Sequence, residues 1–369
     1  MKNFILISMS PNFGGAERVL WQINESLSTS YKTYLIINRN QANNYKINNF
    51  ILLSINRYFK ISQKPFGIFY YVVNSFRVCF KVLKIKRSVL YCNDLESLFL
   101  ASISKIISPS IKIIWHIHDV YDFNKFKNRL IFRFINIIVD QYICLTKANK
   151  ERVEKIVGNK VFLLRNFSRF DVSCIPKNMK FDDKLILGYV GQITQWKRID
   201  KIIEVVEKLN FSSKKKIYLK IVGKPYYKDD IIYFEDLNKL TENNKYIKWF
   251  TFTENLPEFY ESIDFLANFS VNEPFGLVMV EAMSQGTPVI STQGDGPSEI
   301  ISNNYENGVI LTEKSVFGIV DELKIFFDNL DNEKYHDLSI RSKDTVKNNF
   351  SLSSFESKLF DIISTKRNI

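Results

Sequence analysis

Glu273-Pro274-Phe275-Gly276-Leu277-Val278-Met279-Val280-Glu281-Ala282-Met283, continued by Ser284-Gln285-Gly286-Thr287-Pro288-Val289-Ile290, is the stretch from which the rest of the chain can be read. Pro274 holds the residue before it in extended geometry. Gly276 lets the backbone turn tightly into a short apolar helix, and Gly286 ends that helix in the left-handed geometry that glycine favours. Pro288 then leads into a buried strand that includes Val289 and Ile290. Glu273 therefore lies on a loop at a helix N-terminus, where unpaired N–H groups and the helix dipole attract phosphate. Glu281 falls further in, on an otherwise apolar helix. An acid before an anion-binding helix end and a second acid inside it read as two hydroxyl-gripping groups beside a phosphate cradle.

Outward from this stretch, strand-like apolar runs alternate with helical patterns. In the first half they fall at 3–9, 16–28, 34–38, 51–55, 88–92, 94–107, 112–117, 126–137, 141–145 and 147–157. Polar residues Asn166 to Lys184 read as a linker, after which the alternation resumes at 185–190, 198–209, 216–223, 229–243, 246–250, 256–261, 263–268 and the opening helix and strand. This is the βα order of doubly wound parallel sheets, given twice. At 369 residues the chain exceeds what one core usually supports, so two domains are expected.

The Glu273–Ile290 stretch resembles the E-x-F-G-x-x-x-x-E signature of glycosyltransferase family 4, retaining enzymes of the GT-B fold. Both acids, the Phe-Gly, the Ala-Met and the Gly-Thr-Pro-Val tail fit that signature together. The resemblance implies an α/β chain of two Rossmann-like domains facing a central cleft. Residues 1–165 would form the acceptor-side domain, with a last helix at about 352–369 packing back on it. Residues 166–184 would link it to a nucleotide-sugar domain at 185–351.

Several residues acquire expected roles from the same resemblance. Glu281 would grip the ribose hydroxyls of the donor, and Glu273 the hydroxyls of its sugar, while the amides of Phe275, Gly276 and Leu277 approach the phosphates. Gly191-Gln192-Ile193-Thr194-Gln195-Trp196-Lys197-Arg198 is similar to the family's G-R-x-x-x-x-K-G segment, so Lys197 would hold the diphosphate. Gln192 replaces the usual Arg and Arg198 the usual Gly, which removes one cation at the first position. Gly14-Gly15-Ala16-Glu17 follows the first strand and is similar to the family's G-G-x-E loop, which places Gly15 near donor phosphate and acceptor. Alternation along Ile113-Ile114-Trp115-His116-Ile117-His118 puts both histidines on one face. His118, at the strand's C-terminal end, would contact the transferred sugar; His116, one pleat deeper, reads as a hydrogen-bonded core residue. Gly223, the Gly294-to-Ile301 loop and Asn307-Gly308 read as architectural.

No D-x-D motif occurs, and Asp182-Asp183 and Asp229-Asp230 lie on polar segments read as exposed, so neither metal nor other cofactor is expected. The implied chemistry is metal-independent transfer of a hexose from a nucleotide-diphosphate sugar to a hydroxyl of a glycan or lipid-linked acceptor, in cell-envelope polysaccharide synthesis. Rivals are a GT-B sugar-nucleotide epimerase and an inactive nucleotide-sugar-binding protein. A nicotinamide dehydrogenase would need the G-x-G-x-x-G loop, which is missing. A nucleic-acid partner is not expected, because no recognition motif accompanies the basic charge.

That charge is uneven. The chain carries +12, but residues 1–180 hold 28 Lys/Arg against 10 Asp/Glu, and no acid occurs between Glu25 and Asp94. Basic amphipathic segments lie at 66–87 (Phe69, Tyr70, Val73, Phe76, Phe80 and Leu83 among Arg77, Lys81, Lys84, Lys86 and Arg87) and at 124–139. Such helices can lie in an anionic membrane interface. The four widely spaced cysteines suggest a reducing compartment, the first residues read as a core strand with no signal segment, and nothing is long enough to cross a bilayer. A cytoplasmic protein, peripheral on the inner face of the membrane, is therefore expected.

Overall fold

The computed structural model describes residues 2–41, 51–55, 65–173, 184–212, 215–250, 255–301 and 305–365. The chain divides into two compact units, Met1–Arg165 with Glu356–Ile369, and Asn166–Phe355.

The first unit contains β1 (Asn3–Ser8), α1 (Gly15–Ser28), β2 (Lys32–Asn38), β3 (Ile51–Ile55), α2 (Pro65–Val82), β4 (Ser88–Cys92), α3 (Leu95–Ile107), β5 (Lys112–Ile117), α4 (Phe126–Ile135), β6 (Gln141–Cys144), α5 (Lys147–Val157) and β7 (Val161–Leu163). Its parallel sheet runs in the order β3-β2-β1-β4-β5-β6-β7. The central strands are near-continuous apolar runs because helices cover both faces. Ile5, Ile7, Leu90, Ile113, Trp115 and Tyr142 share one core with Val78 and Val82 of α2, Leu98 of α3, Phe132 of α4 and Val153 of α5. These four helices therefore cover the same side of the sheet.

The second unit continues with β8 (Lys184–Gln192), α6 (Ile199–Ser212), β9 (Lys216–Lys224), α7 (Lys228–Thr241), β10 (Ile247–Phe250), α8 (Leu256–Glu261), β11 (Phe265–Asn268), α9 (Leu277–Ser284), β12 (Val289–Thr292), α10 (Asp295–Ile300), β13 (Gly308–Leu311), α11 (Val316–Asp328) and α12 (Asn332–Asn349), and the last helix, α13 (Leu352–Ser364), begins in this unit and belongs to the first from Glu356. Its sheet, also parallel, runs β10-β9-β8-β11-β12-β13. Both sheets reverse direction of winding once, between β1 and β4 and between β8 and β11. At such a switch point the loops after the two strands diverge to opposite faces and leave a crevice at the C-terminal edge. The alternation of the sequence located most of these strands but did not single out β7, α11 or α12.

Two expected boundaries shift. Helix α13 leaves the second unit at Glu356, whose Oε1 accepts a hydrogen bond from Ser26 (2.6 Å); further on, Phe360 stacks on Tyr31 and Ile362 accepts from Gln141. The segment expected as a linker begins bonded to the second unit. Ser168 N–H donates to Phe350 (2.9 Å), Phe167 packs on Phe355, Gln285 donates to the Asp171 carbonyl (3.0 Å) and Ser173 N–H to Ser284 (2.9 Å). The remainder of that segment, 174–183, with Cys174 and Asp182-Asp183, lies outside the described residues. Cys79, Cys92 and Cys144 are buried free thiols.

Strands β8 and β9 approach so closely at Gly191 and Gly223 that a Cβ on Gly223 would stand 2.1 Å from the Gly191 carbonyl oxygen. Gly223→Ala should lower the stability of the second unit by about 1–3 kcal/mol, read as a shift in its urea unfolding midpoint.

Candidate functional site

In the second unit the site is built from the loops that follow β8 and β11. After β8, a 3-10 turn at Gln195–Lys197 closes on Arg198, which has φ +54°. After β11, Asn272 has φ +57°. The two loops are tied by Val271 N–H donating to the Trp196 carbonyl (2.8 Å). This arrangement brings Lys197 across the switch point to Glu273, with Nζ 2.6 Å from Oε2 and both side chains largely buried. The ammonium also sits 4.0 Å from the centroid of the Trp196 ring, an added attraction for a cation. A buried ion pair is held only when both partners are present, so each residue fixes the position of the other.

Beyond Glu273 the backbone enters α9 through Gly276, at φ +96°. A Cβ there would stand 2.2 Å from the Met279 methyl group. Gly296 of α10 donates its N–H to the Glu273 carbonyl (3.0 Å), and a Cβ on it would stand 2.2 Å from the Phe275 carbonyl oxygen. The later glycine loop thus buttresses the Glu273–Gly276 turn. The Phe275 side chain is buried against Phe350 (ring centroids 5.8 Å), so its contribution to the loop's outer surface is backbone. Leu277 is half-buried at the first turn of α9.

Glu281 lies on the buried side of α9, 4% exposed. Its Oε1 accepts from Arg169 Nε at 2.7 Å and its Oε2 from the Tyr260 hydroxyl at 3.1 Å. Gln192 is not part of either pair. Its Nε2 donates to Asp230 Oδ2 (2.8 Å), and Asp230, read from the sequence as exposed, is buried at the start of α7. Asp229 is exposed, as read from the sequence, whereas Asp230 one residue on is turned inward in the first turn of α7, where Gln192 meets it.

In the first unit the corresponding switch point lies between β1 and β4. Asp94 caps α3 by accepting from Ser97 N–H (2.6 Å) and reaches across to Met9 N–H (2.7 Å), joining the two strand ends. Burial pushes its carboxyl above the usual range despite these bonds. Gly14 and Gly15 are exposed at the start of α1, and the buried Glu17 side chain accepts from Gly14 N–H (2.9 Å). Burial, the largest influence, raises the Glu17 carboxyl from 4.5 to about 7. His118 stands just past the end of β5, its Nε2 2.9 Å from Asn93 Oδ1, and burial lowers it to about 3, so it is neutral at physiological pH. His116 is fully buried, 2.8 Å from the Tyr91 hydroxyl, with its ring 4.1 Å from that of His118.

The expected residues thus fall into two sets, Lys197, Glu273, Phe275, Gly276, Leu277 and Glu281 at one switch point and Gly15 and His118 at the other. Sequence reasoning did not find Arg169, Tyr260, Asn93 or Asp94. Asp94 could have been recognised as a helix cap; Arg169 and Tyr260 carry no local signal. Among the described residues, no three His, Cys, Asp or Glu side chains are gathered as a metal ion would require.

Residues 174–345 match the model of the family glycosyl transferases group 1. Over 188 residues, half of this chain and 36% of the relative, the sequence is 28% identical to the poly(ribitol-phosphate) alpha-N-acetylglucosaminyltransferase of Staphylococcus aureus. Over 231 residues, 62% of this chain and 65% of the relative, it is 23% identical to the lipopolysaccharide core biosynthesis glycosyltransferase LpsE of Rhizobium meliloti. The chain spans between a third and a half of the length of the first curated relatives it matches. In three dimensions, 99% of the chain matches the whole of the Anabaena protein HepE, crystallised with UDP and glucose, at a TM-score of 0.78 and 16% identity. That likeness supports the fold, which is GT-B as the sequence implied.

The raised Glu17 carboxyl makes the first unit sensitive to pH in a defined direction. The folded state holds the proton more tightly than the unfolded chain, so the stabilisation is complete below about 4.5 and is lost as pH rises through about 7. Thermal unfolding of the first unit should therefore fall between pH 5 and 8 more steeply in the wild type than in Glu17→Gln.

Proposed function

We propose that this chain, whose residues 174–345 belong to the glycosyl transferases group 1 family, is a retaining glycosyltransferase. Its donor would be a nucleotide-diphosphate sugar and its acceptor a hydroxyl of a glycan or lipid-linked glycan of the cell envelope. The observation that carries this reading is the pair of buried acids at one switch point, each held by a cation, with Lys197 on Glu273 and Arg169 on Glu281. An envelope glycan is supported by the relatives named for poly(ribitol-phosphate) and for lipopolysaccharide core.

On this reading, Glu281 accepts hydrogen bonds from the vicinal ribose hydroxyls, and Glu273 from hydroxyls of the donor sugar. The N–H groups at Phe275, Gly276 and Leu277 point toward the diphosphate from the N-terminus of α9. Donor binding gives Lys197 a second anion, and its charge stabilises the diphosphate as it departs. The bond from the anomeric carbon to the phosphate oxygen breaks and the acceptor oxygen bonds to the same face. The acceptor proton passes to the leaving phosphate, so no enzymatic nucleophile is needed. Neutral His118, fixed by Asn93, hydrogen-bonds the transferred sugar. Lys197 and the helix end supply the positive charge, and the reaction takes no metal ion.

The acceptor reading includes an anionic membrane surface. The outward stripe of α2 is apolar: Val72, Val73, Phe76, Phe80 and Leu83 are exposed, Phe80 by 71%, beside exposed Arg77, Lys81 and Lys84. Of the residues that the sequence marked as apolar, Val73, Phe76, Phe80 and Leu83 face solvent, while Tyr70 packs against the core with Tyr71, Val78 and Val82; the side chain of Phe69 lies outside the described residues. Helix α4 likewise exposes Phe126, Leu130 and Phe134, with Ile137 exposed just past its end. Large exposed apolar stripes flanked by cations suit a peripheral site at the inner face of the membrane. No helix among the described residues is long and apolar enough to cross a bilayer.

Glu281→Ala should weaken nucleotide-sugar binding at least tenfold, whereas Glu273→Ala should mainly lower kcat; negligible effects of both would refute the donor site. Turnover should persist in EDTA, and a requirement for added divalent cation would refute the metal-free mechanism. The protein should co-sediment with anionic liposomes at low salt and lose that binding in Phe76→Ser/Phe80→Ser, and failure of the wild type to bind would remove the membrane from the reading.

A further inference from the structure

Arg169 lies outside the matched family segment and on a stretch whose sequence reads as linker, yet it reaches the most buried acid of the donor site. We infer that Arg169 is a positioning residue for nucleotide recognition, holding the Glu281 carboxylate charged and aimed so that it can accept a ribose diol. This inference rests on the donor-site reading above and adds to it a residue that the family signature does not contain.

The geometry is a closed ring of four side chains. Arg169 Nε meets Glu281 Oε1 at 2.7 Å, and the Tyr260 hydroxyl meets Oε2 at 3.1 Å. Phe170 packs beneath both donors, with its ring centroid 4.5 Å from the Arg169 guanidinium carbon and 6.4 Å from the Tyr260 ring. Each oxygen of the carboxylate is thus assigned a donor, which fixes the plane of the group. A carboxylate oxygen accepts more than one hydrogen bond, so this grip is compatible with a diol.

Charge supplies the second argument. Glu281 is 4% exposed on a helix whose other buried side chains are Met279, Val280, Ala282, Met283 and Ser284. A carboxylate in such surroundings needs a cation to remain charged at low cost. Its partner is brought from outside α9 by the strap of residues 166–173, which is bonded to Phe350, Ser284 and Gln285 on either side of Arg169. The strap is therefore built to hold this arginine in place, and the Arg169 side chain is 35% exposed, within reach of solvent and of an arriving ligand.

The test is calorimetric binding of uridine, guanosine and adenosine diphosphates, each beside its 2′,3′-dideoxy counterpart, to the full chain and to Arg169→Gln and Arg169→Lys, with donor KM and kcat for the same proteins. The wild type should prefer the ribonucleotide of at least one base. In Arg169→Gln that preference should collapse, with ribonucleotide affinity reduced at least tenfold, KM raised and kcat at saturating donor nearly unchanged. Arg169→Lys should restore most of the preference, since it keeps the charge. A preference kept in Arg169→Gln, or a loss shared equally by the dideoxy forms, would overturn the inference and leave the donor site standing. Failure of the wild type to bind any of the six nucleotides would overturn the donor-site reading, and this inference with it.

Discussion

The second unit depends on neutralising two carboxylates that its fold has removed from water. Glu273 lies just before an apolar helix and Glu281 within it, the helix being packed against β11, β12 and α12, and a carboxylate removed from water is costly without a partner. The solution is the same at both: a cation from a different segment of the chain, Lys197 after β8 and Arg169 on the strap. Each ion pair therefore also fixes a loop. The first pins the β8 loop to the β11 loop across the switch point, and the second pins the strap to α9. Electrostatic compensation and chain placement are one constraint in this structure.

Glycines support that constraint where a side chain could not fit. Gly276 takes the left-handed turn that lets α9 begin directly after Glu273, and Gly296 fits against the Phe275 carbonyl to hold the turn from the other side. The first unit solves a similar problem without cations. Asp94 and Glu17 are buried at its own switch point and accept from backbone N–H groups, which offset only part of the cost of burial, so their carboxyls rise. The two halves share a topology but differ in how they hold buried acid. That difference matches the roles proposed for them, paired cations for a diphosphate in the second unit and a neutral histidine for a sugar in the first.

Much of this was legible in the chain. The alternation of apolar runs located most strands of both sheets, because parallel strands covered on both faces must be nearly all apolar. The positions of Glu273, Gly276 and Gly286 followed from local rules about helix ends and glycine turns, and that of Lys197 from the family resemblance. Where reading failed, the cause was an interaction between distant segments. Asp230 is buried where Gln192 meets it from another segment. Amphipathic spacing states that a helix has two faces but not which of them the sheet covers.

The sequence by itself determined the fold class, the loops that carry the acids and the conformations that its glycines permit, since these depend on neighbours within a few residues. The tertiary structure decided which cations meet those acids. Arg169 is more than a hundred residues from Glu281 in the chain and Lys197 more than seventy from Glu273, and no local pattern records such pairings. They exist because the switch points of a doubly wound sheet bring the ends of non-consecutive strands together, and because a buried charge accepts only a fold that supplies its partner.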